Sequence, residues 1–270
     1  MRCPRVRAAG QSSRLGRVSA QLKVGVLGSR GKVGAEVCRA VEAADDLELV
    51  AGVSRSDPGS FSSAAEALDA VAADVLVDYT HAAVVKANVL AALERRVGVV
   101  VGSSGLSAAD YAEVDSLARA NGVGVVAAGN FSLTAALLLC FAAEAARHLP
   151  AWEVIDYASA TKSDAPSGTS REVAERLGEV RAPAAGVAID EVHGAYEARG
   201  ATVAGTQVHS LRLPSFTAST EVVFAADGER LSIQHHAGES AAPYVAGTLV
   251  AIRAAPGRVG LTRGLDRLLG

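Results

Sequence analysis

The sequence predicts an α/β fold: a Rossmann-type, doubly wound parallel sheet domain plus a smaller α+β domain with an open mixed sheet. Two observations lead to this prediction. Short apolar runs alternate with helical segments over the first half of the chain, which is typical of a parallel sheet covered on both faces. In the second half, extended runs follow one another without long helices between them, which favours a mixed or antiparallel sheet.

In the first half, apolar runs predict strands and amphipathic segments predict helices. The predicted strands are 22–27, 47–53, 73–78, 97–102 and 123–127. The predicted helices between them are 33–43, 81–95 and 107–120. This regular alternation is the pattern of a doubly wound sheet, in which ligands bind beyond the carboxyl ends of the strands.

The pattern changes after residue 132, where a second domain is expected. Helices are predicted over 134–148 and 169–178, and extended segments over 152–160, 207–213, 220–225 and 230–236. A last helix, 241–253, is expected to return with the tail to the first domain. We therefore assign 21–132 and 241–270 to one domain and 133–240 to another, with 1–20 as a flexible N-terminal extension.

Composition narrows the class of protein. The chain has 270 residues with 26 basic and 29 acidic side chains, and five of the basic ones are arginines within the first twenty residues. The remainder is therefore acidic, which argues against nucleic acid as a partner. No apolar run is long enough to span a membrane. The three cysteines are scattered without metal-ligand spacing, so we expect no metal site and a reducing, cytoplasmic setting.

A glycine-rich turn follows the first predicted strand and opens the first predicted helix. Its spacing is G-x-x-G-x-x-G, and in this strand–turn–helix context it predicts a dinucleotide-binding loop. The glycines permit a tight turn, and the helix N-terminus attracts the pyrophosphate. The candidate cofactor-binding residues of this loop are Gly28, Ser29, Arg30, Gly31, Lys32, Val33 and Gly34.

The end of the second predicted strand indicates which dinucleotide binds. NAD enzymes usually place an acidic residue about 20 residues after the loop, on the ribose 2′-hydroxyl. Here Ser54 and Arg55 stand at the strand end instead. A hydroxyl and a guanidinium suit a 2′-phosphate, so we predict NADPH as the cofactor, preferred over NADH. A solvated loop arginine is the alternative explanation of Arg55.

Polar residues follow three further predicted strands and should surround the nicotinamide ring. Because the carboxyl ends of parallel strands meet at one edge of the sheet, we expect them to lie close together. The candidates are Tyr79, Thr80, Gly102, Ser104, Gly129, Asn130 and Phe131.

The stretch 161–169 is the predicted substrate site. Lys162 precedes a Ser-Gly-Thr sequence that begins a predicted helix, and Ser167 or Thr169 can cap that helix. The free N–H groups of a helix N-terminus attract anions, and Lys162 adds a full positive charge. We predict a clamp for a carboxylate or phosphate, made by Lys162, Ser167, Gly168 and Thr169. On local evidence alone, a capped surface helix after a proline-containing turn explains the stretch equally well.

With these motifs assembled, residues 22–269 resemble the dihydrodipicolinate reductase family of lysine biosynthesis. The resemblance rests on the glycine loop, on the strand ends at 78–81, 101–105 and 129–132, and above all on 162–169. It implies a dinucleotide-binding domain, a substrate-binding and oligomerisation domain over 133–240, and a homotetramer. It also implies hydride transfer from NADPH or NADH to a cyclic dicarboxylated imine, with the Lys, Ser, Gly and Thr of the motif holding a substrate carboxylate.

One departure from the family alters the expected chemistry. The family normally has a His-His pair, one of them the general acid, where this chain has Ala158 and Ser159. Lys162 is then the expected catalytic residue, with a mainly electrostatic role. We expect an NADPH-dependent reductase of a small carboxylated cyclic imine or conjugated amine with altered substrate. The alternatives are a non-redox cyclase or dehydratase and a catalytically silent nucleotide-binding protein on the same scaffold.

Overall fold

The computed structural model describes residues 20–54, 60–184 and 186–269. Arg55 and nearly all of the predicted N-terminal extension therefore lie outside the described residues. Within the described residues the chain forms these strands, in order: β1 (Leu22–Leu27), β2 (Leu47–Val53), β3 (Val75–Asp78), β4 (Gly98–Val101), β5 (Gly124–Ala127), β6 (Ala151–Ala158), β7 (Ala201–Val203), β8 (Thr206–Arg212), β9 (Ala218–Ala226), β10 (Glu229–Ala237) and β11 (Gly260–Arg263).

Helices connect these strands. They are α1 (Lys32–Glu42), α2 (Ala64–Ala70), α3 (Val85–Glu94), α4 (Ala108–Asn121), α5 (Leu133–His148), α6 (Gly168–Val180) and α7 (Ala242–Ala254), with short 3₁₀ turns in the loops and in the tail. None of the described helices is both long and apolar enough to cross a membrane.

The first sheet has six strands in the order β11-β5-β4-β3-β1-β2, and every pair is parallel. Strands β3, β4 and β5 are buried along their whole length because helices pack on both faces of the sheet. Their continuous apolar sequences are what such double burial requires. The carboxyl ends of β1, β3, β4 and β5 meet at one edge, where the predicted cofactor residues lie.

The second sheet has the order β10-β9-β6-β8-β7, with β6 and β8 parallel and the other pairs antiparallel. The predicted fold class, a parallel Rossmann-type sheet plus a smaller mixed sheet, is thus confirmed. Helices α5 and α6 pack on one face of this sheet over Trp152, Val154 and Phe224. This packing places the start of α6 beside the carboxyl end of β5.

Helix α6 is tied to the end of β11 and to the segment that follows it by ion pairs. Arg176 contacts the buried carboxylate of Asp266 at 3.0 Å, and Arg263 contacts Glu175 at 3.0 Å. A third pair joins Arg267 to Glu179 at 2.6 Å. The helix that carries the predicted anion clamp is therefore fixed against the edge strand of the first sheet.

Candidate active site

The glycine loop joins β1 to α1 in a turn that only glycines permit. Gly28 has a φ of +77°, and a Cβ there would lie 2.3 Å from the Tyr79 carbonyl oxygen. A Cβ on Gly34 would lie 2.1 Å from the Gly28 carbonyl oxygen. These contacts bring the backbone of the loop, the start of α1 and the end of β3 together, which is the cradle that a pyrophosphate needs.

The N-terminus of α1 is open to an anion. Its N-cap, Gly31, provides no side-chain cap, and no acidic residue lies in the first turn. The first backbone N–H groups are therefore available, with a positive helix dipole behind them. Lys32 donates from Nζ to the Glu239 carbonyl oxygen, so the loop is tied to the segment that precedes α7. These residues fit NAD(P)H, held by the loop and the start of α1.

We expect Gly34→Ala to weaken NAD(P)H binding about 5- to 150-fold, because accommodating the methyl group costs about 1–3 kcal/mol of loop strain. Gly257→Ala is the matched control, since a Cβ there meets no atom within 4 Å. Titration of NADPH fluorescence measures both affinities. Equal affinities of Gly34→Ala and the unaltered protein would contradict the role assigned to the loop.

Asp78 fixes the polar loops at the ends of β3 and β4. Its buried carboxylate accepts hydrogen bonds from the Thr80 hydroxyl at 2.7 Å, the Ser103 hydroxyl at 2.6 Å and Asn88 Nδ2 at 2.8 Å. A carboxylate accepts only, so three donors from different segments satisfy it. The hydroxyl of Thr80, which we predict near the cofactor, donates to Asp78 in this structure.

Tyr79 packs beneath the ends of β4 and β5. Its ring lies where a Cβ on Gly102 would be, at 2.2 Å, and meets the ring of Phe131 edge-on at 6.1 Å. The Tyr79 hydroxyl pairs with Thr248 Oγ1 on α7 at 2.6 Å. Burial raises the pKa of Tyr79 well above its usual value, so this hydroxyl stays neutral.

The predicted clamp lies at the start of α6. Ser167 is the N-cap, and its hydroxyl accepts a hydrogen bond from the Ser170 N–H at 3.3 Å. Lys162 Nζ lies 2.7 Å from Asp164 Oδ1, so the lysine charge is partly balanced. Asn130 Nδ2 donates to Thr169 Oγ1 at 3.3 Å, which joins a predicted cofactor residue to a predicted substrate residue.

Asp156 organises the clamp from beneath, a role the sequence analysis missed. Its buried carboxylate accepts from the Ser167 N–H at 2.8 Å and from the Ser167 hydroxyl at 2.6 Å. Ser170, Ser210 and Arg212 donate to the same carboxylate at 3.0, 3.1 and 2.8 Å. Both donors of Ser167 are therefore used within the protein. The predicted direct contact between Ser167 and substrate stays a prediction, whereas its capping of α6 is visible.

A cleft of about 500 Å³ brings together most of the predicted residues at the strand ends and the clamp. The predicted residues that line it are Val33, Tyr79, Gly102, Ser104, Gly129, Asn130, Phe131, Lys162, Ser167, Gly168 and Thr169. The predicted residues that the structure places outside its lining are Gly28, Ser29, Arg30, Gly31, Lys32, Gly34, Ser54 and Thr80. The nicotinamide and substrate candidates thus share one cleft, and most of the glycine loop lies beside it.

No histidine that the structure describes lines this cleft. Ala158 is fully buried at the end of β6, opposite Ala218, and the Ser159 hydroxyl pairs with Thr161 Oγ1 at 3.0 Å. The described residues also hold no cluster of three or more His, Cys, Asp or Glu suited to a metal ion. The cleft joins the predicted clamp to the predicted nicotinamide residues, without an imidazole or a metal-binding cluster among the described residues.

Glu172 is a second residue that the sequence analysis missed. It lines the cleft from α6, and its Oε2 accepts a hydrogen bond from the Gly129 N–H at 2.8 Å. Burial raises its pKa to about 7. The sequence does not mark Glu172 as a site residue, because its place in the cleft depends on contact with Gly129 at the end of β5, in the other sheet.

Comparison with known proteins covers almost the whole described chain. A family model described as "Dihydrodipicolinate reductase, N-terminus" matches residues 22–131, and "Dihydrodipicolinate reductase, C-terminus" matches 134–269. The 4-hydroxy-tetrahydrodipicolinate reductase of Nocardia farcinica is 41% identical over 251 residues, covering 92% of this chain and 98% of the relative. The enzyme of that name from Cutibacterium acnes is 39% identical over 255 residues, covering 92% of this chain and 99% of the relative.

Solved structures agree. A dipicolinate-bound dihydrodipicolinate reductase from Paenisporosarcina sp. TG-14 superposes with a TM-score of 0.76 at 27% identity, covering 92% of this chain and 99% of that one. GenD2 from gentamicin A biosynthesis, in complex with NAD, has a TM-score of 0.65 at 15% identity, covering 96% and 93%. The second likeness shows the shared fold alone.

Proposed function

Because the chain belongs to the dihydrodipicolinate reductase family and is an NAD(P)H-dependent oxidoreductase acting on a C=N bond, we propose that it reduces a small carboxylated cyclic imine or conjugated amine other than dihydrodipicolinate. One observation carries the proposal: the cleft keeps the anion clamp but has no histidine among its described lining. Neither Ala158 nor Ser159 moves a proton near neutral pH. The clamp for a carboxylate is kept, whereas the usual proton donor is replaced. This combination supports a substrate that is related to dihydrodipicolinate but different from it.

The clamp orients the substrate through its carboxylate. Lys162 supplies the charge, and the N–H groups of Gly168 and Thr169 at the start of α6 supply directed donors. Asp156 holds Ser167, which caps the helix, so these N–H groups are positioned before substrate arrives. Pre-positioned donors of this kind lower the entropic cost of reaching the reactive geometry.

The opposite wall holds the cofactor. NAD(P)H, when bound there, supplies the hydride. Gly129, Asn130 and Phe131 form the wall that faces the clamp, and the bond from Asn130 to Thr169 spans the two sides. The carbon of the C=N bond is thereby directed to the nicotinamide side while its carboxylate stays on the clamp.

The experiment that tests this function measures NADPH oxidation with purified protein and a panel of probes. The panel contains dihydrodipicolinate and cyclic imines with one carboxylate, such as Δ1-piperideine-2-carboxylate. We expect a higher kcat/KM for one of the other imines than for dihydrodipicolinate. A strong preference for dihydrodipicolinate would reject the altered substrate, and no turnover of any probe would reject the proposal as a whole.

We also propose that NADPH is preferred over NADH, on the basis of Ser54 and Arg55 at the end of β2. We expect Arg55→Ala to lower kcat/KM for NADPH about 10- to 150-fold, because a charge-assisted bond to the 2′-phosphate contributes about 1.5–3 kcal/mol. The value for NADH, which lacks that phosphate, should not change. A parallel loss with both cofactors would show that Arg55 does not read the 2′-phosphate.

A homotetramer joined through the second sheets is the proposed assembly. Helices α5 and α6 cover one face of that sheet. The other face carries the Tyr157–Glu221 bond and the His209–Glu153 pair, and Arg199 from the loop before β7 also contacts Glu153 there. Light scattering after gel filtration should give four times the chain mass, and a monomer mass would reject this assembly.

The free thiols Cys38 and Cys140 support a reducing, cytoplasmic setting.

A further inference from the structure

Glu172 stands between the anion clamp and the end of β5 and lines the cleft from α6. Its side chain extends back toward the start of α6, as helical side chains do. There its Oε2 accepts the Gly129 N–H at 2.8 Å. The backbones also meet, since a Cβ on Gly129 would lie 3.0 Å from the Gly168 carbonyl oxygen. The carboxyl thus lies where the predicted nicotinamide wall touches the clamp helix.

The other carboxylates of the cleft are paired. Asp164 lies 2.7 Å from Lys162 Nζ, and Glu175 lies 3.0 Å from Arg263. Glu172 forms no salt bridge with any residue that the structure describes, and its carboxylate accepts the Gly129 N–H. Among the described carboxyl groups of this cleft, Glu172 is therefore the one that no salt bridge holds in its ionised form.

The remaining titratable groups of the cleft do not suit proton donation near neutral pH. Arginine stays charged in proteins, so Arg171 and Arg263 are excluded. Three tyrosines line the cleft, and burial raises the pKa of each above its usual value: Tyr79, Tyr111 and Tyr244. Lys162 is paired with Asp164 and is assigned to the substrate carboxylate, so among the described lining residues Glu172 is the group left by this elimination.

Groups from α6, α4, β11, the end of β5 and the tail surround Glu172. Burial raises its pKa to about 7, and the carboxylates of Asp266 in the tail and Glu175 on α6 raise it further. The Gly129 N–H and the guanidinium of Arg263 on β11 act in the opposite direction. Tyr111 on α4 lies under Arg263, 4.3 Å from ring centre to guanidinium carbon, and stays neutral. A general acid is most effective when its pKa lies near the working pH.

We propose that Glu172 is the proton donor of the reduction, in the place of the family's His-His pair. The inference rests on the proposed function. The carbon of the C=N bond receives the hydride, the π electrons of that bond move to nitrogen, and nitrogen takes the proton from the Glu172 carboxyl. The carboxylate left behind keeps its bond from the Gly129 N–H and regains a proton from water in the cleft. NAD(P)H, as the source of the hydride, is oxidised to NAD(P)⁺.

The variant that tests this is Glu172→Gln, which keeps an acceptor for the Gly129 N–H and removes the proton. With the imine that the panel identifies, we expect kcat to fall about 100- to 10,000-fold, the usual contribution of a positioned acid, with little change in KM. The control is Glu94→Gln, at the end of α3 and outside the cleft lining, which should keep the full rate.

The pH dependence provides a second readout. Because the protonated form donates, kcat of the unaltered enzyme should be constant below about pH 7 and fall above it, and Glu172→Gln should lose this limb. Infrared spectroscopy of the carboxyl C=O band tests the proton without turnover: the band should disappear from the unaltered enzyme as the pH rises through about 7.

Two results would overturn the inference. One is an active enzyme in which Glu172→Gln keeps both the rate and the pH limb, which leaves the proposed function intact. The other is a Glu172 carboxyl band that does not titrate near neutral pH, which counts against the inference whether or not the panel contains the substrate. Absence of turnover with every probe is a failure of the proposed function, and the infrared titration then decides on Glu172 separately.

Discussion

Lys162→Ala is expected to lower kcat/KM for the carboxylated imine about 30- to 1000-fold and to leave the affinity for NADPH unchanged. Removing one partner of a close charge pair costs about 2–4 kcal/mol when the other partner stays in place, and each 1.36 kcal/mol is tenfold in rate. Lys162 lines the cleft on the clamp side, away from the glycine loop, so the loss should fall on the substrate alone.

Because of Asp164, the fall in kcat/KM of Lys162→Ala should exceed that expected from the loss of one contact. In the unaltered chain its carboxylate lies 2.7 Å from Lys162 Nζ. Without the lysine, a negative charge remains beside the place where the substrate carboxylate binds, and like charges repel. The double variant Lys162→Ala with Asp164→Asn should therefore recover part of the lost kcat/KM, which a simple loss of bulk would not do.

Steady-state kinetics with the imine and NADPH fluorescence titration measure the two quantities separately. Lys86→Ala is the matched control: this lysine is also paired with carboxylates, Asp110 and Glu113, but lies outside the cleft lining. An unchanged kcat/KM in Lys162→Ala, or an equal loss in the two lysine variants, would contradict the clamp.

Asp156→Asn is expected to lower the free energy of unfolding by about 3–5 kcal/mol, the usual cost of breaking a buried ion pair by removing one partner. Every group that contacts this carboxylate donates a hydrogen bond, among them Ser167 twice and Arg212. An asparagine turns an NH₂ group toward these donors and leaves the Arg212 charge uncompensated. The KM for the imine should rise as well, because Ser167 loses its anchor.

The same carboxylate predicts a pH dependence of stability. Burial alone would raise the pKa of Asp156, but the hydrogen bonds from Ser167 and Arg212 outweigh burial and hold it below its usual value. The stabilisation is therefore complete above the ordinary aspartate pKa of 3.8 and is lost as the pH falls through the lower value of the folded state. This acid-dependent part of the unfolding free energy should be absent from Asp156→Asn.

Urea denaturation at several pH values measures both effects through the midpoint, with the slope unchanged. Asp69→Asn is the control, since its pair with Arg95 at 2.8 Å is exposed, and exposed pairs contribute about 0–1 kcal/mol. Equal destabilisation by the two substitutions would show that the Asp156 network does not carry the stability assigned to it.

Much of the fold follows from local sequence pattern. Strand β2 has the predicted ends, and β3, β4 and β5 lie within the predicted ranges, because continuous apolar runs between helices leave few alternatives. The short elements were missed: helix α2, β7 and β11 are not in the prediction. Strand β11, Gly260–Arg263, has one large apolar residue and becomes a strand only because β5 offers it an edge.

The site residues likewise fall into those that a local sequence pattern reveals and those that it does not. The glycine loop and clamp are contiguous motifs, so their residue types and spacing reveal them. Asp156 depends on Arg212, 56 residues later, and Glu172 depends on Gly129, 43 residues earlier. The alternation of β6 puts Asp156 and Tyr157 on opposite faces, and Tyr157 donates to Glu221 on the face away from α5 and α6. What a buried carboxyl contacts is set by packing, which no local pattern specifies.

The ion pairs that tie α6 to β11 and to the segment after it affect how a protein of this fold can change its substrate. Arg176–Asp266, Arg263–Glu175 and Arg267–Glu179 all join the clamp helix to the cofactor-side sheet. With that helix anchored, these ion pairs rather than the substrate set the span from the nicotinamide wall to the carboxylate anchor. Other side chains of the cleft lining, such as Ala218 and Tyr244, are then free to diverge without disturbing the hydride path.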